Sequence, residues 1–129
     1  MIVDASAILA VAFNEPDFAV FSKALGSARG SRISAVNFVE AALRADHTKS
    51  ADLIAAFEAI VAEAGLVVVP ATPAHALLAR EAYRRFGKGN HQARLNLADC
   101  FAYALAKETG EPLLFKGGDF AKTDLEAAV

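Results

Sequence analysis

Cysteine is nearly absent: Cys100 is the one thiol in 129 residues. A single thiol closes no intrachain disulfide, and without a C-x-x-C pair there is no zinc ribbon or thioredoxin-type site. Such sparing use of cysteine suits a reducing compartment. Four prolines and eight glycines are too few for a collagen-like or fibrous chain. No apolar run reaches the roughly 18 residues of a membrane-spanning helix. The opening Met1-Ile2-Val3-Asp4 carries neither the basic stretch nor the hydrophobic run of a signal peptide. A cytoplasmic protein that does not enter a membrane is therefore expected. Surplus positive charge is missing as well: 13 Lys and Arg against 15 Asp and Glu leave a net charge of −2 and a pI near 5.9. That argues against a globally basic nucleic-acid binder. A polyanion would have to be held by a local basic patch or through a metal.

What the chain does contain is apolar. Hydrophobic residues make up 55% and charged residues 22%, with a mean hydropathy of +0.33. That excludes a disordered chain. The length fits one domain over residues 1–129, large enough to bury a core unaided. Abundant alanine favours helix.

Short β-branched runs alternate with longer helical ones. Strands are predicted at Met1–Asp4, Arg32–Ser34, Leu66–Val69 and Leu113–Phe115. Helices are predicted over Ala5–Phe13, from Asp17 to Leu25 with Gly26 as the stop, and over Val36–His47. Three more follow: one capped by Ser50, periodic to Ala64 and stopped by Gly65, one opened by Thr72-Pro73 that ends near Phe86, and Asn96 to Thr109 ended by Gly110. Phe38, Val39, Ala42 and Leu43 form the apolar stripe of the third helix. Leu66–Val69 reads as a strand buried on both faces. With no hairpin signature, the pattern predicts an α/β fold: a short, mainly parallel central sheet of about four strands surrounded by helices. Ligands of such sheets bind beyond the carboxyl ends of the strands.

Four acids fall at that edge. Asp4 closes the first strand, and Glu40 lies in the first turn of the helix after the second. Asp99 opens the helix before the last strand, and Asp119 follows that strand after Gly117-Gly118. Singly, each has an ordinary explanation. Asn37-x-x-Glu40 and Asn96-x-x-Asp99 resemble capping boxes, and Asp4 and Asp119 resemble N-caps. Together they crowd like charge, which raises carboxyl pKa values unless a cation compensates. Hard oxygen donors without Cys or His point to Mg2+ or Mn2+ rather than zinc. Such an ion suits phosphodiester hydrolysis, because it neutralises the phosphate and makes water a usable nucleophile near neutral pH. No Ser-His-Asp, G-x-S-x-G, Walker A or G-x-G-x-x-G signature is present.

The opening MIVDASAILA, the acid in AVNFVEAALR and the run RRFGKGNHQARLNLADCFAYALAKETGEPLLFKGGDFAKTDL resemble a PIN domain. The type most similar is the VapC toxin of bacterial toxin–antitoxin pairs, and the resemblance covers nearly the whole chain. It implies a parallel sheet wrapped by helices and a Mg2+-dependent ribonuclease. A cognate VapB-like antitoxin and toxin homodimers are implied too. The family's acids match Asp4, Glu40, Asp99 and Asp119, and its following T-D matches Thr123-Asp124 as supporting residues. Gly118 stands where many relatives carry an acid or polar residue, and the tail Leu125–Val129 is short, so a last edge strand is expected to be rudimentary.

Around the acids, Arg80, Arg84, Arg85, Lys88 and Arg94 cluster in sequence. They read either as a rim that contacts RNA phosphates or as a solvated face. Lys88 and Arg94 are the stronger RNA-binding candidates. Lys116 either reaches a phosphate or pairs with an acid. Ser6 either orients Asp4 and the metal water or is an ordinary helix-start hydroxyl. Arg44 either pairs with Glu40 one turn earlier or receives an antitoxin group. His91 is expected exposed, Cys100 in the core and Tyr103 half-buried. Phe13, Phe18 and Phe21 either pack under the sheet or line an apolar groove for an antitoxin helix. Two other functions compete. A phospho-receiver domain would need an aspartate directly after the third strand, where Pro70-Ala71 stands. A non-catalytic PIN-like module that binds RNA or a partner sits badly with an intact set of four acids.

Overall fold

A computed structural model describes residues 1–129. Its elements run β1 (Ile2–Val3), α1 (Ala5–Ala12), α2 (Phe18–Ser27), β2 (Arg32–Ser34), α3 (Ala35–His47) and α4 (Ala51–Glu63). They continue with β3 (Val67–Val69), α5 (Pro73–Phe86), α6 (Leu97–Thr109) and β4 (Leu113–Leu114), then a 3-10 turn over Phe120–Lys122. The four strands form one parallel sheet in the order β3-β2-β1-β4. Ile2 pairs with Arg32 on one side and Leu113 on the other, so the two chain-distant strands flank β1 in register. The tail adds a single parallel bridge, Leu113 to Ala127.

Alternation along the strands divides the core. Val3, Ile33 and Leu114 join α1, α2, α3 and α4 on one face. Ile2 and Leu113 join α5 and α6 on the other. The pleat sends successive side chains to opposite faces, so two-residue strands suffice to hold both layers. Local chemistry sets the helix starts. Ser34, Ser50 and Thr72 accept backbone N–H groups as N-caps, and Pro73 takes the first position of α5. Gly110 ends α6 at φ 69°, a conformation glycine adopts without Cβ strain. His75, fully buried at the start of α5, bonds Glu108 near the end of α6 at 2.8 Å and ties these two helices together.

The sequence reading needs correction at several points. Helix α2 runs through Gly26 to Ser27, because nothing forces Gly26 out of helical geometry. Helix α3 begins at Ala35 under a Ser34 cap. Asn37 is therefore no cap, and Glu40 stands in the second turn. The buried face of α3 is Asn37, Ala41 and Ala45, while Val39 and Leu43 are more than half exposed. Strand β3 is an edge strand with Val67 and Val68 also open to solvent, not a strand covered on both faces. That edge position also separates the sheet from a receiver domain, whose third strand lies inside the sheet. Tyr103 is fully buried rather than half-buried. No helix is long and apolar enough to cross a membrane.

Candidate active site

Asp4 is the innermost of the four acids, only 4% exposed. The β1 ladder carries it to the carboxyl edge of the sheet, where its backbone N–H donates to Leu114 O at 2.9 Å. As N-cap of α1 it accepts two bonds at Oδ2, from Ser6 N at 3.0 Å and from Ser6 Oγ at 2.6 Å. Ser6 Oγ in turn accepts the backbone N–H of Lys116 at 3.0 Å, which joins the end of β4 to the same carboxylate. Burial pushes the Asp4 carboxyl above its usual range, against the hydrogen bonds from Ser6 and with the help of the nearby Asp119 charge.

Asp99 sits in the first turn of α6 within a complete capping box. Its backbone N–H donates to Asn96 Oδ1 at 2.9 Å, and its Oδ2 accepts from Asn96 N at 3.0 Å. The ordinary explanation of this residue is thus correct, and it does not remove the charge problem. Burial, together with the charges of Asp4, Glu40 and Asp119, raises the Asp99 carboxyl to about 7, although the Asn96 backbone bond works against this. Glu40 is half-buried and also raised, by burial first and the Asp4 charge second, with Arg44 acting in the opposite sense. Arg44 forms no ion pair with it within 4.0 Å. Asp119 is exposed at the start of the 3-10 turn and caps nothing with its side chain. The four acids expected from sequence therefore meet electrostatically at one edge.

The supporting residues divide. Thr123 Oγ1 donates to Phe120 O at 2.6 Å and closes the turn that carries Asp119. Asp124 faces α6: it accepts from Tyr103 Oη at 2.7 Å and Lys107 Nζ at 2.9 Å, with Arg85 at 3.6 Å. These partners hold its carboxyl below its usual range although burial works the other way. Lys116 pairs with Glu15 and, at 3.1 Å, Asp17. Lys88 and Arg94 lie exposed in a loop whose cleft of about 610 Å3 has no apolar lining. They form no ion pair, and neither do Arg80 and Arg84. His91 is exposed, and Cys100 is buried with its thiol pushed up to about 11 by burial and the Asp99 charge. Phe21 is buried, Phe13 partly so, and Phe18 is 41% exposed.

Sequence reasoning missed one member of the site. Asn37, fully buried, donates from Nδ2 to Asp4 Oδ1 at 3.3 Å and to Ala98 O at 2.9 Å. Its disguise as a cap concealed it. The signal that separates the two readings is Ser34, a better-placed cap three residues earlier.

No three acidic, histidine or cysteine side chains converge as a closed metal cage would require. The donor set nevertheless fits a hydrated ion. It is all oxygen, it is short of positive charge, and Glu40 Oε2 is buried with no hydrogen-bond donor. Mg2+ characteristically keeps several waters and takes one or two carboxylates directly.

A family model described as the PIN domain matches residues 1–126. Ribonuclease VapC28 of Mycobacterium tuberculosis is 42% identical over 130 residues, covering 100% of this chain and 98% of the relative. Ribonuclease VapC42 of the same organism is 40% identical over 99% of this chain and 98% of its own length. Among solved structures, VapC20 of Mycobacterium tuberculosis, described as a toxin that cleaves the sarcin–ricin loop, superposes with a TM-score of 0.76. The match covers 96% of this chain and 95% of that one at 18% identity, so it bears on the fold alone. An acid-lined edge on this sheet, a family match along almost the entire chain and full-length relatives at this identity lead to one conclusion: the chain belongs to the PIN-domain family, among the VapC ribonucleases.

Proposed function

We propose that the chain is a Mg2+- or Mn2+-dependent endoribonuclease that acts in the cytoplasm as the toxin of a VapBC-type pair. The observation that carries this reading is the gathering of Asp4, Glu40, Asp99 and Asp119 at one sheet edge, the first three buried wholly or in part and none of the four ion-paired with a cation of the protein. These four residues would hold the ion directly or through water. When bound, the ion neutralises the scissile phosphate and lowers the pKa of water toward neutrality. The protein's own part is placement. Ser6 fixes the rotamer of Asp4, the Asn96 capping box fixes Asp99, and Thr123 fixes the turn of Asp119. Lys88 and Arg94, unpaired and exposed, are cations available to RNA phosphates, with Arg80 and Arg84 on α5 unpaired as well. Lys116 has its charge already matched by Glu15 and Asp17.

The antitoxin reading draws support from a cleft of about 190 Å3 between α1, α2 and α4, lined by Val11, Leu25 and Ile60 among others. With Phe18 exposed nearby on α2, it offers an apolar seat for a VapB-like helix. A homodimer would cover Val39 and Leu43 on α3 and Leu97 at the start of α6, which lie open on two helices in mutual contact.

The test is cleavage of total cellular RNA by the wild type and Asp99→Asn with Mg2+, Mn2+ or chelator. Cleavage by the wild type alone, abolished by chelator, is the expected result. Equal cleavage by Asp99→Asn would overturn the assignment. RNA binding without cleavage in either metal would favour the non-catalytic module.

A further inference from the structure

Asn37 lies fully buried on the inner face of α3, one turn before Glu40. A carbonyl can only accept, so the bond from its side chain to Ala98 O fixes the amide: its nitrogen serves Ala98 O and Asp4 Oδ1, and its oxygen is the end left over. That Oδ1 is buried and finds no donor, and neither does Glu40 Oε2 three residues on. Residues at i and i+3 share a helix face. Helix α3 thus presents two unsatisfied acceptors beside Asp4 and Asp99. Buried polar atoms are rarely left so, and those that are call for an explanation. No donor of the protein supplies it. The Ser6 hydroxyl is engaged by Asp4, and the Lys116 ammonium by Glu15 and Asp17. The complement to acceptors without donors is a body that presents donors alone. A hydrated divalent cation does this, because its coordinated waters point their hydrogens outward.

We infer that Asn37 is a positioning residue with two separate duties. Its Nδ2 clamps Asp4 to the first turn of α6, so that Asp4 and Asp99 keep a fixed relation. Its Oδ1 accepts a hydrogen bond from the water shell of the ion that the acids hold. The inference rests on the nuclease reading above. A purely structural buried asparagine would have both ends of its amide satisfied by protein, and this one does not.

The experiment compares the wild type with Asn37→Ala and Asn37→Asp. Mn2+ binding is followed by the electron paramagnetic resonance of free Mn2+, RNA cleavage is resolved into kcat and KM, and melting temperature is monitored. Asn37→Ala is expected to bind Mn2+ about ten- to a hundredfold more weakly, to lose kcat by a similar factor and to keep the KM for RNA. Asn37→Asp, which keeps an oxygen but loses the donor to Asp4, is expected to lose kcat as well. A folded Asn37→Ala with wild-type Mn2+ affinity overturns the inference. Should that variant not fold, the wild type labelled with 15N-asparagine decides. Of its four asparagines, Asn37 should show a side-chain amide shift on Mg2+ addition while Asn14 and Asn90 stay fixed. An unmoved Asn37 amide in protein that takes up Mg2+ overturns the inference. A wild type that neither binds these ions nor cleaves RNA removes the nuclease reading itself, and this inference with it.

Discussion

Ser6 donates its hydroxyl to Asp4 Oδ2 at 2.6 Å while accepting the backbone N–H of Lys116, so one hydroxyl couples the ends of β1 and β4. Ser6→Ala breaks both bonds at once. The expected outcome is a loss of about 1.5–3 kcal/mol of stability, typical of a hydrogen bond to a charged group, and a fall in kcat of about tenfold as Asp4 loses its fixed rotamer. Ser6→Thr retains the hydroxyl and should recover most of both. Chemical denaturation and RNA cleavage rates check this; a Ser6→Ala enzyme as fast as wild type would reduce Ser6 to an ordinary helix-start residue.

Acid repulsion at the site gives stability a specific pH dependence. Asp99 titrates at its ordinary 3.8 when unfolded and near 7 when folded. Between these values the folded chain holds a proton that the unfolded chain has lost. Stability therefore declines as pH rises through that window and levels off above it. Asp4 and Glu40 are displaced the same way. Asp124 and Glu111 are displaced downward, Glu111 chiefly by the N-terminal amine, so their stabilisation is lost only as pH falls below their unfolded values of 3.8 and 4.5, under the range between pH 5 and 8. Metal-free protein is expected to melt several degrees higher at pH 5 than at pH 8, and Mg2+ should narrow the gap. Asp99→Asn, which keeps the capping box, should raise metal-free stability at pH 8 by about 1 kcal/mol, allowing for solvent screening, or roughly 4 °C in melting temperature. A flat melting profile between pH 5 and 8 in chelator would contradict the account.

Much of this was legible beforehand because it depends on local chemistry. Caps at Ser50, Thr72 and Asn96 and the stop at Gly110 follow from side-chain hydrogen bonding and positive φ within a few residues. The shared edge of the four acids was legible because Asp4, Asp99 and Asp119 lie at a strand end or a helix start, where sequence position and spatial position coincide, and Glu40 lies only one turn further into its helix. What escaped depends on distant neighbours. Val67 and Val68 have the composition of an inner strand, and only the order β3-β2-β1-β4 leaves them at an edge. Asn37 mimics a cap and is identified only by Asp4 and Ala98, 33 and 61 residues away in sequence. That Lys116 pairs with an acid was one of its two readings; which acids it finds was not, since Glu15 lies 101 residues upstream and Asp17 stands two residues after it.

The loop bearing Lys88 depends on a glycine. A Cβ at Gly87 would stand 2.4 Å from both the Tyr83 ring and the Tyr83 carbonyl oxygen. The carbonyl belongs to α5 and cannot yield. Gly87→Ala should destabilise by about 1–3 kcal/mol, the usual cost of overpacking, and raise the KM for RNA by displacing Lys88. Double substitution with Tyr83→Ala relieves the ring clash only, so it should recover less than half of the lost stability. Full recovery in the double variant would show that the backbone adjusts freely.

Salt dependence distinguishes the cations. Each phosphate neutralised on a single strand steepens log K against log salt by about 0.7. Lys88 and Arg94 have no ion-pair partners, whereas the Lys116 ammonium is shared by Glu15 and Asp17. Lys88→Ala with Arg94→Ala should therefore flatten the slope by about 1.4 and weaken RNA binding, most strongly at low salt. Lys116→Ala should leave the slope nearly unchanged, because removing a matched cation alters the net charge of its surroundings without removing a phosphate contact. Binding of uncleavable RNA by Asp99→Asn protein over a salt series measures all three. A slope that responds to Lys116 and not to the loop would mean that RNA breaks the Glu15–Lys116–Asp17 pairing on arrival and runs along the α1–α2 side of the sheet edge.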